Sequence, residues 1–313
     1  MAKICVVGSV NMDVVTYVDH IPQPGQTVFG ERLVETAGGK GANQAVAVAK
    51  QEKEVVFIGS VGSDRHGDML VEGLQNFQVD VSSMQRLEGI DSGKTSIVVE
   101  NSGENFIIYL EGANGELDTN HVRAALQKQT DCEVLLVQLE SPYNVVLEAM
   151  KTAREQGITV ILDPAPSRNV TDELLRYADL VLPNEQEAKD ITNIEIVDDV
   201  SAQAAAAIFR KKGIDQGVLK LGAHGAYVFN EENITFVKPM QVEAVDSVGA
   251  GDCFAGAFAS AYIDGQSVEE AASYANVVSA LKVTKPGAQD GIPTLAEVKA
   301  FSKKRDVSLY MFS

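Results

Sequence analysis

The residues Asp246-Ser247-Val248-Gly249-Ala250-Gly251-Asp252 hold the densest chemistry in this 313-residue chain. They stand between a strand-like run, Gln241 to Val245, and an apolar helical run, Cys253 to Tyr262. A strand, a turn of small residues and a helix together build an anion pocket. Gly249, Ala250 and Gly251 put no bulk in a ligand's way, and their N–H groups lie at the positive end of the helix. Asp252 then sets a carboxylate beside a site built for negative charge. A bound phosphate gains nothing from it, whereas a hydroxyl that must lose a proton while attacking a phosphoryl group does. The competing reading is structural: a glycine-rich turn packing a helix on a sheet, with Asp252 as N-terminal cap.

Two other groups of polar residues lie near the N-terminus. Asn11-x-Asp13 follows the first apolar run, at the end of a strand where α/β sheets bind ligands. Gly38-Gly39-Lys40-Gly41-Ala42-Asn43-Gln44 opens a helix of small residues. A carboxylate can take two adjacent hydroxyls, an amide both donates and accepts, and glycines let backbone approach a compact polyol. A turn followed by a capped helix is the plainer account of each motif alone. Two nucleotide signatures are missing. Gly8-Ser9-Val10-Asn11 lacks the spacing of a dinucleotide turn, and Lys40 is not followed by Ser or Thr as in a P-loop.

These residues need a scaffold, and the pattern supplies one. Ile4–Val7, Val55–Ile58, Val134–Val137, Thr159–Leu162, Leu180–Leu182, Val218–Leu221 and Ala226–Phe229 read as buried strands. Helix-period segments alternate with many of them: Gly41–Lys50, Gly67–Phe77, Asn120–Gln129, Val145–Gln156 and Ser201–Lys212. The alternation predicts an α/β fold with a mostly parallel central sheet flanked by helices. Asp13–Asp19, Val28–Ala37, Thr95–Glu100 and Asn105–Glu111 break it, the last two as a hairpin around Asn101-Ser102-Gly103. They predict a small antiparallel sheet standing off the main body. The apolar tail Val307–Phe312 reads as an added strand packed on the core.

Composition narrows the function. A net charge of −18 argues against nucleic acid or an anionic membrane as partner. Hydrophobic residues make up 45%, enough for a full core. Cys5, Cys132 and Cys253 are scattered, as are His20, His66, His121 and His224. Neither a disulfide framework nor a histidine metal site is expected, and the N-terminus reads as a strand rather than a signal peptide. A reducing cytoplasm fits this usage.

Taken together, the Gly8–Asp13 segment, Gly39–Ala45 and Gly249-Ala250-Gly251-Asp252 with Phe254 and Gly256 resemble the ribokinase family of carbohydrate kinases. The resemblance runs from Ile4 to about Pro293. It implies a three-layer fold in which 1–313 is one catalytic domain with a β lid from about 13–37 and 94–112. It also implies ATP-dependent phosphorylation of D-ribose at O5, with Mg²⁺ accompanying ATP. Asp252 would be the general base, and Gly249, Ala250 and Gly251 the anion hole. Asn11, Asp13, Gly39, Lys40, Asn43 and Glu140 match sugar-binding positions. Asn184, Glu187, Lys220, Gly222, Gly225, Gly251 and Asn276 match nucleotide-binding positions, the first two tied to Mg²⁺ and phosphate. For Asn184 and Glu187 the residues alone also read as an N-cap with first-turn acids.

The resemblance further implies a monovalent-cation site, with K⁺ as activator. Asp246 and the carbonyls of Val248, Lys282, Lys285 and Gly287 match its ligands; Gly291 stands where some relatives have Ser. Lys220 stands where many relatives carry Thr, and Asp163 replaces an Asn, an extra acid that could favour Mg²⁺. Cys253, at a helix N-terminus, is expected to be a reactive thiol or else a small core filler. The exposed lid edge implies a homodimer. A kinase for 2-deoxyribose, a nucleoside or a hexose, and a non-catalytic sugar-binding protein, remain the alternatives.

Overall fold

The computed structural model describes residues 3–305 apart from Gly103. The chain begins β1 (Lys3–Val7), β2 (Asn11–Val18), β3 (Gly30–Gly38), α1 (Lys40–Lys50), β4 (Glu54–Ile58), β5 (Ser60–Gly62), α2 (Arg65–Asn76) and β6 (Gln85–Leu87). It continues through β7 (Gly93–Glu100), β8 (Asn105–Leu110), α3 (Thr119–Lys128), β9 (Cys132–Val137), α4 (Tyr143–Glu155), β10 (Thr159–Leu162) and α5 (Asp172–Leu175). The rest is β11 (Leu180–Val181), α6 (Glu185–Thr192), α7 (Asp199–Lys211), β12 (Gly217–Lys220), β13 (Ala226–Phe229), β14 (Ile234–Val237), α8 (Ala250–Tyr262), α9 (Val268–Val283) and α10 (Leu295–Lys304).

An eight-stranded sheet in the order β14-β13-β12-β11-β10-β9-β1-β4 forms the middle layer, parallel except where β13 pairs with β12 and β14. Side-chain alternation along β1 sorts the two faces. Ile4 and Val6 join a cluster with α1, α2, α8 and α9, whereas Cys5 and Val7 join one with α3, α4, α6 and α7. Strands buried on both faces read as unbroken apolar runs, which is why these were visible in the sequence.

A second sheet has the order β3-β2-β7-β8. The expectation that it is antiparallel fails at its centre, where β2 and β7 run parallel in register from Asn11↔Gly93 to Val18↔Glu100. Its outer pairs are antiparallel. The parallel pair follows from the path of the chain. Between β2 and β7 it passes through α1, β4 and α2 of the main body before re-entering from the same side. Gly103, in the expected hairpin turn, and the tail from 306 onward lie outside the described residues.

The strand-like run Gln241–Val245 is not a strand. It has no sheet partner, and Val245 is 66% exposed. The sheet already ends at β14, and this segment borders a cavity instead. No helix among the described residues is long and apolar enough to cross a membrane.

Candidate active site

Gly249 takes φ 72° and caps α8 with no side-chain hydrogen bond. The reading of Asp252 as N-cap is therefore corrected: it lies in the first turn, and its carboxylate points to α1. Asn43 Nδ2 donates to Asp252 Oδ2 at 2.9 Å, and Gln44 Nε2 to Oδ1 at 3.3 Å. Asn43 is held in turn by Gln289, whose Nε2 donates to Asn43 Oδ1 at 3.1 Å. Burial raises the pKa of Asp252 to about 6, opposed by Lys40 and the Asn43 hydrogen bond and reinforced by Asp163 and Glu140. Lys40 responds in kind. Burial alone would lower its pKa, but the carboxylates of Asp252, Glu140, Asp163 and Glu187 hold it above its ordinary value.

The start of α1 is fixed by Gly39. It has φ 92°, and a Cβ there would lie 2.7 Å from Val10 Cα and 2.8 Å from Ser9 O. Only glycine brings Lys40, Asn43 and Gln44 this close to the end of β1. Glu140, beyond β9, accepts at Oε2 from Ser9 Oγ at 2.5 Å and from the Lys40 N–H at 3.1 Å. Lys40 Nζ stands 3.8 Å from Glu140 Oε1. Asn11 opens β2, and its Oδ1 accepts from Asn114 Nδ2 at 2.7 Å. Asp13, on the same strand, has its pKa raised chiefly by burial, with Thr95 opposing and Glu140 adding to the rise. Asn11, Asp13, Gly39, Lys40, Asn43, Glu140 and Asp252 are thus linked by contacts or fields across four separate elements.

On the other side of the α8 N-terminus lies a cavity of about 300 Å³. Lys220, Gly222, Gly225, Gly251 and Asn276 all line it, together with Ala250. Asn276 Nδ2 donates to Lys238 O at 2.7 Å. Asn184 and Glu187 are not among its lining residues. They form a capping box at α6: Asn184 Oδ1 accepts from the Glu187 N–H at 2.9 Å, and Glu187 Oε2 from the Asn184 N–H at 2.8 Å. Burial and the Asp163 charge raise the pKa of Glu187. Asn184 bridges to Lys220, so the cap sits behind the cavity wall.

Known proteins similar to this chain give this arrangement a family. Residues 1–295 match the pfkB family of carbohydrate kinases. The chain is 37% identical to a ribokinase of Haemophilus influenzae, over 95% of this chain and 97% of that one. The chain belongs to the pfkB family of carbohydrate kinases. It is also 31% identical to a deoxyribokinase of Salmonella typhi, over 95% of this chain and 98% of that protein. The solved structure of an Arabidopsis thaliana ribokinase complexed with ribose and ATP superposes with a TM-score of 0.90 at 30% identity, covering 97% of this chain and 99% of that one. As a carbohydrate kinase of this family, the chain is a phosphotransferase with an alcohol group as acceptor.

The loop expected to hold a monovalent cation in this kinase is stitched together tightly. Asp246 Oδ1 accepts from the Val248 N–H at 2.9 Å, and Oδ2 from the Gly287 N–H at 2.8 Å. Lys282 is buried, and its Nζ donates to Asp246 O at 3.0 Å. At Gly291 the carbonyl oxygens of Gly287, Pro286 and Lys285 converge: a Cβ there would meet them at 2.5, 2.8 and 3.1 Å. This cradle is lined by hard oxygens, which fits a hard cation, and a serine at 291 would fill part of it.

Cys253 corrects the expectation of a reactive thiol. It is fully buried, and burial pushes its thiol up to about 12 despite the helix N-terminus. The small-core-filler reading holds. Asp163, expected as an extra acid for Mg²⁺, has both oxygens engaged by Lys220 and Gln44. Among the described residues no group of three or more His, Cys, Asp and Glu could hold a metal alone. A divalent ion here would need the oxygens of the nucleotide itself as ligands.

Sequence reasoning missed the residues that hold the site residues in place. Asn114 locks Asn11 and also bridges both the N–H and the carbonyl of Val10 at 3.0 Å. Gln44, Gln138 and Gln289 brace Asp252 and Asn43. Only Gln44 carried a signal, its place in the Gly39–Ala45 motif.

Proposed function

We propose that this chain transfers the γ-phosphoryl group of ATP to O5 of D-ribose, giving D-ribose 5-phosphate and ADP. One observation carries the reading. Asp252, a buried carboxylate with a pKa raised to about 6, stands at the head of α8 between a cavity and a cluster of polyol-binding side chains. Asp252 takes the proton from the attacking hydroxymethyl group. The N–H groups of Gly249, Ala250 and Gly251 stabilise the charge gathering on the phosphoryl oxygens. Asn11, Asp13, Gly39, Lys40, Asn43 and Glu140 orient the sugar, so that much of the acceleration is positioning. Lys220, Gly222, Gly225, Gly251 and Asn276 hold the nucleotide, with the Asn184–Glu187 cap supporting the wall behind them. Mg²⁺ bound with ATP would neutralise phosphate charge. K⁺ in the loop of Asp246, Val248, Lys282, Lys285, Gly287 and Gly291 would set the geometry of the anion turn.

The chain acts as one catalytic domain whose small sheet, about 13–37 and 94–112, is a lid that excludes water. A second copy covers the outer face of this lid. Phe106 and Leu33, aligned through Val98 and Thr16 on the face opposite Asp13, are 55% and 59% exposed there, and every residue of β8 is open. Exposed apolar edges of this kind pair. The protein is expected to sediment as a dimer and Phe106→Lys as a monomer; a wild-type monomer would remove the lid from the interface. The free, buried cysteines support a reducing cytoplasm.

The test is sugar-dependent ADP formation with Mg²⁺, across ribose, 2-deoxyribose, fructose and a nucleoside, in K⁺ and in a large organic cation. Ribose should be preferred and K⁺ should raise the rate. A preference for 2-deoxyribose would overturn ribose as the substrate. Equal rates in both cations would remove K⁺. No turnover would favour a sugar-binding protein.

A further inference from the structure

Two positions at which the sequence departs from its family resemblance, Asp163 and Lys220, meet in space. Lys220 Nζ donates to Asp163 Oδ1 at 2.9 Å, and the two side chains are only 11% and 3% exposed. Lys220 is also a wall of the nucleotide cavity, with Nζ 3.9 Å from the point a Cβ on Gly251 would occupy. Asp163 uses its other oxygen, Oδ2, to accept from Gln44 Nε2 at 2.8 Å. The same Nε2 reaches Asp252 Oδ1 at 3.3 Å. Gln138 fixes the amide by donating from Nε2 to Gln44 Oε1 at 2.6 Å. A continuous line of polar contacts therefore joins the cavity to Asp252.

We propose that Lys220, Asp163 and Gln44 form a relay that couples nucleotide occupancy to the readiness of Asp252 to accept the substrate's proton. The inference rests on the assignment of Asp252 as base. A triphosphate in the cavity competes with Asp163 for the Lys220 ammonium. As the ammonium turns to phosphate, the charge of Asp163 is less neutralised, and Asp252, sharing the Gln44 amide, becomes the stronger base. The base is thus muted in the empty protein and sharpened when a phosphoryl donor is in place. Asp163 and Gln44 are positioning residues in this scheme; Lys220 touches the nucleotide.

Other charges also face Asp252: Lys40 from α1, Glu140 beyond β9 and Lys282 from α9, with Cys253 beside it on α8. None of them lines the cavity. Of the charges acting on Asp252, only that of Asp163 has its partner there.

The test is the pH profile of kcat/KM for ATP, which reports the protein before nucleotide draws Lys220 from Asp163, for wild type, Asp163→Asn, Lys220→Met and the double variant. Asp163→Asn should move the acid limb to lower pH and Lys220→Met to higher pH, each by about half a unit or more. With Asp163→Asn already present, Lys220→Met should add no further shift. Should Lys220→Met not fold, with Asp163 left unpaired, the double variant carries neither charge and is compared with Asp163→Asn alone. An unchanged acid limb in Lys220→Met, with only the KM for ATP raised, would make Lys220 a plain phosphate contact and end the relay. So would an undiminished shift in the Asp163→Asn background.

A second readout needs no turnover. Binding of a non-hydrolysable ATP analogue near pH 6.5, measured calorimetrically in two buffers, should take up protons in wild type and fewer in Asp163→Asn. Equal uptake overturns the relay. Asp252→Asn is assayed alongside. Its loss of turnover keeps the base assignment standing whatever the relay does; full turnover would bring both down.

Discussion

Asp252→Asn is expected to lower kcat at least roughly 10²-fold, the low end of general-base effects, with little change in the KM for sugar. The amide keeps the shape but has a single accepting oxygen, so it loses the proton acceptor and can take only one of the hydrogen bonds from Asn43 and Gln44. Wild-type activity should fall as pH drops through about 6, because protonation of the buried carboxyl removes the base. Asp252→Asn should have lost that limb from its residual rate. A collapse of sugar binding with kcat intact would reassign Asp252 to substrate recognition.

The same substitution should stabilise the fold. The carboxyl has an ordinary value of 3.8 and is raised to about 6 by burial. A raised pKa means that stability relative to the protonated form is lost as pH rises through 6. Asp252→Asn should therefore melt above wild type at pH 8. The gap should close as pH falls through 6 toward 3.8. A lower melting temperature at pH 8 would mean that Lys40 and Asn43 more than offset the burial of the charge.

Gly256→Val is expected to damage stability and catalysis together. Gly256 lies on α8 where it crosses α1, and a Cβ there would sit 2.5 Å from Ala47 Cβ and 2.7 Å from Gln44 O. Helices in such contact cannot absorb an isopropyl group without separating. Overpacking of this kind costs roughly 1–3 kcal/mol, or about 2–5 °C in Tm for a chain of this length. The catalytic loss follows from geometry. Asn43 and Gln44 ride on α1 and reach Asp252 on α8, so a shift of about an ångström breaks both hydrogen bonds and can cost on the order of 10²-fold in rate. Calorimetry and kcat on one preparation check both parts. Full activity with an unchanged Tm would show that the two helices are free to move apart.

Much of this was legible because the local rules and the fold agreed. The parallel strands were visible as apolar runs, and the turn before α8 was visible because few functions need Gly-Ala-Gly-Asp at the start of a helix. Where one pattern serves two purposes, the sequence could not choose. Asn184-x-x-Glu187 fits both a capping box and a phosphate-side motif, and in the fold it forms the capping box. Gln241–Val245 alternates like a strand but lies along the cavity wall instead of pairing with a sheet. Cys253 lies at a helix N-terminus, which lowers a thiol's pKa only where solvent or charge can reach it; here burial wins. The pairing of Asp163 with Lys220, 57 residues apart, has no local signature and appears only when the strands are assembled.

Asn11 and Asp13 lie on β2, a strand of the small sheet, whereas Asp252 opens α8 against the main one. Under the proposed function, the part of sugar recognition that lies on β2 and the phosphate handling on α8 are thus written in separate stretches of chain. On that reading a lineage retunes its sugar partly through β2 while inheriting the phosphate machinery intact, so descent should preserve α8 far more strictly than β2.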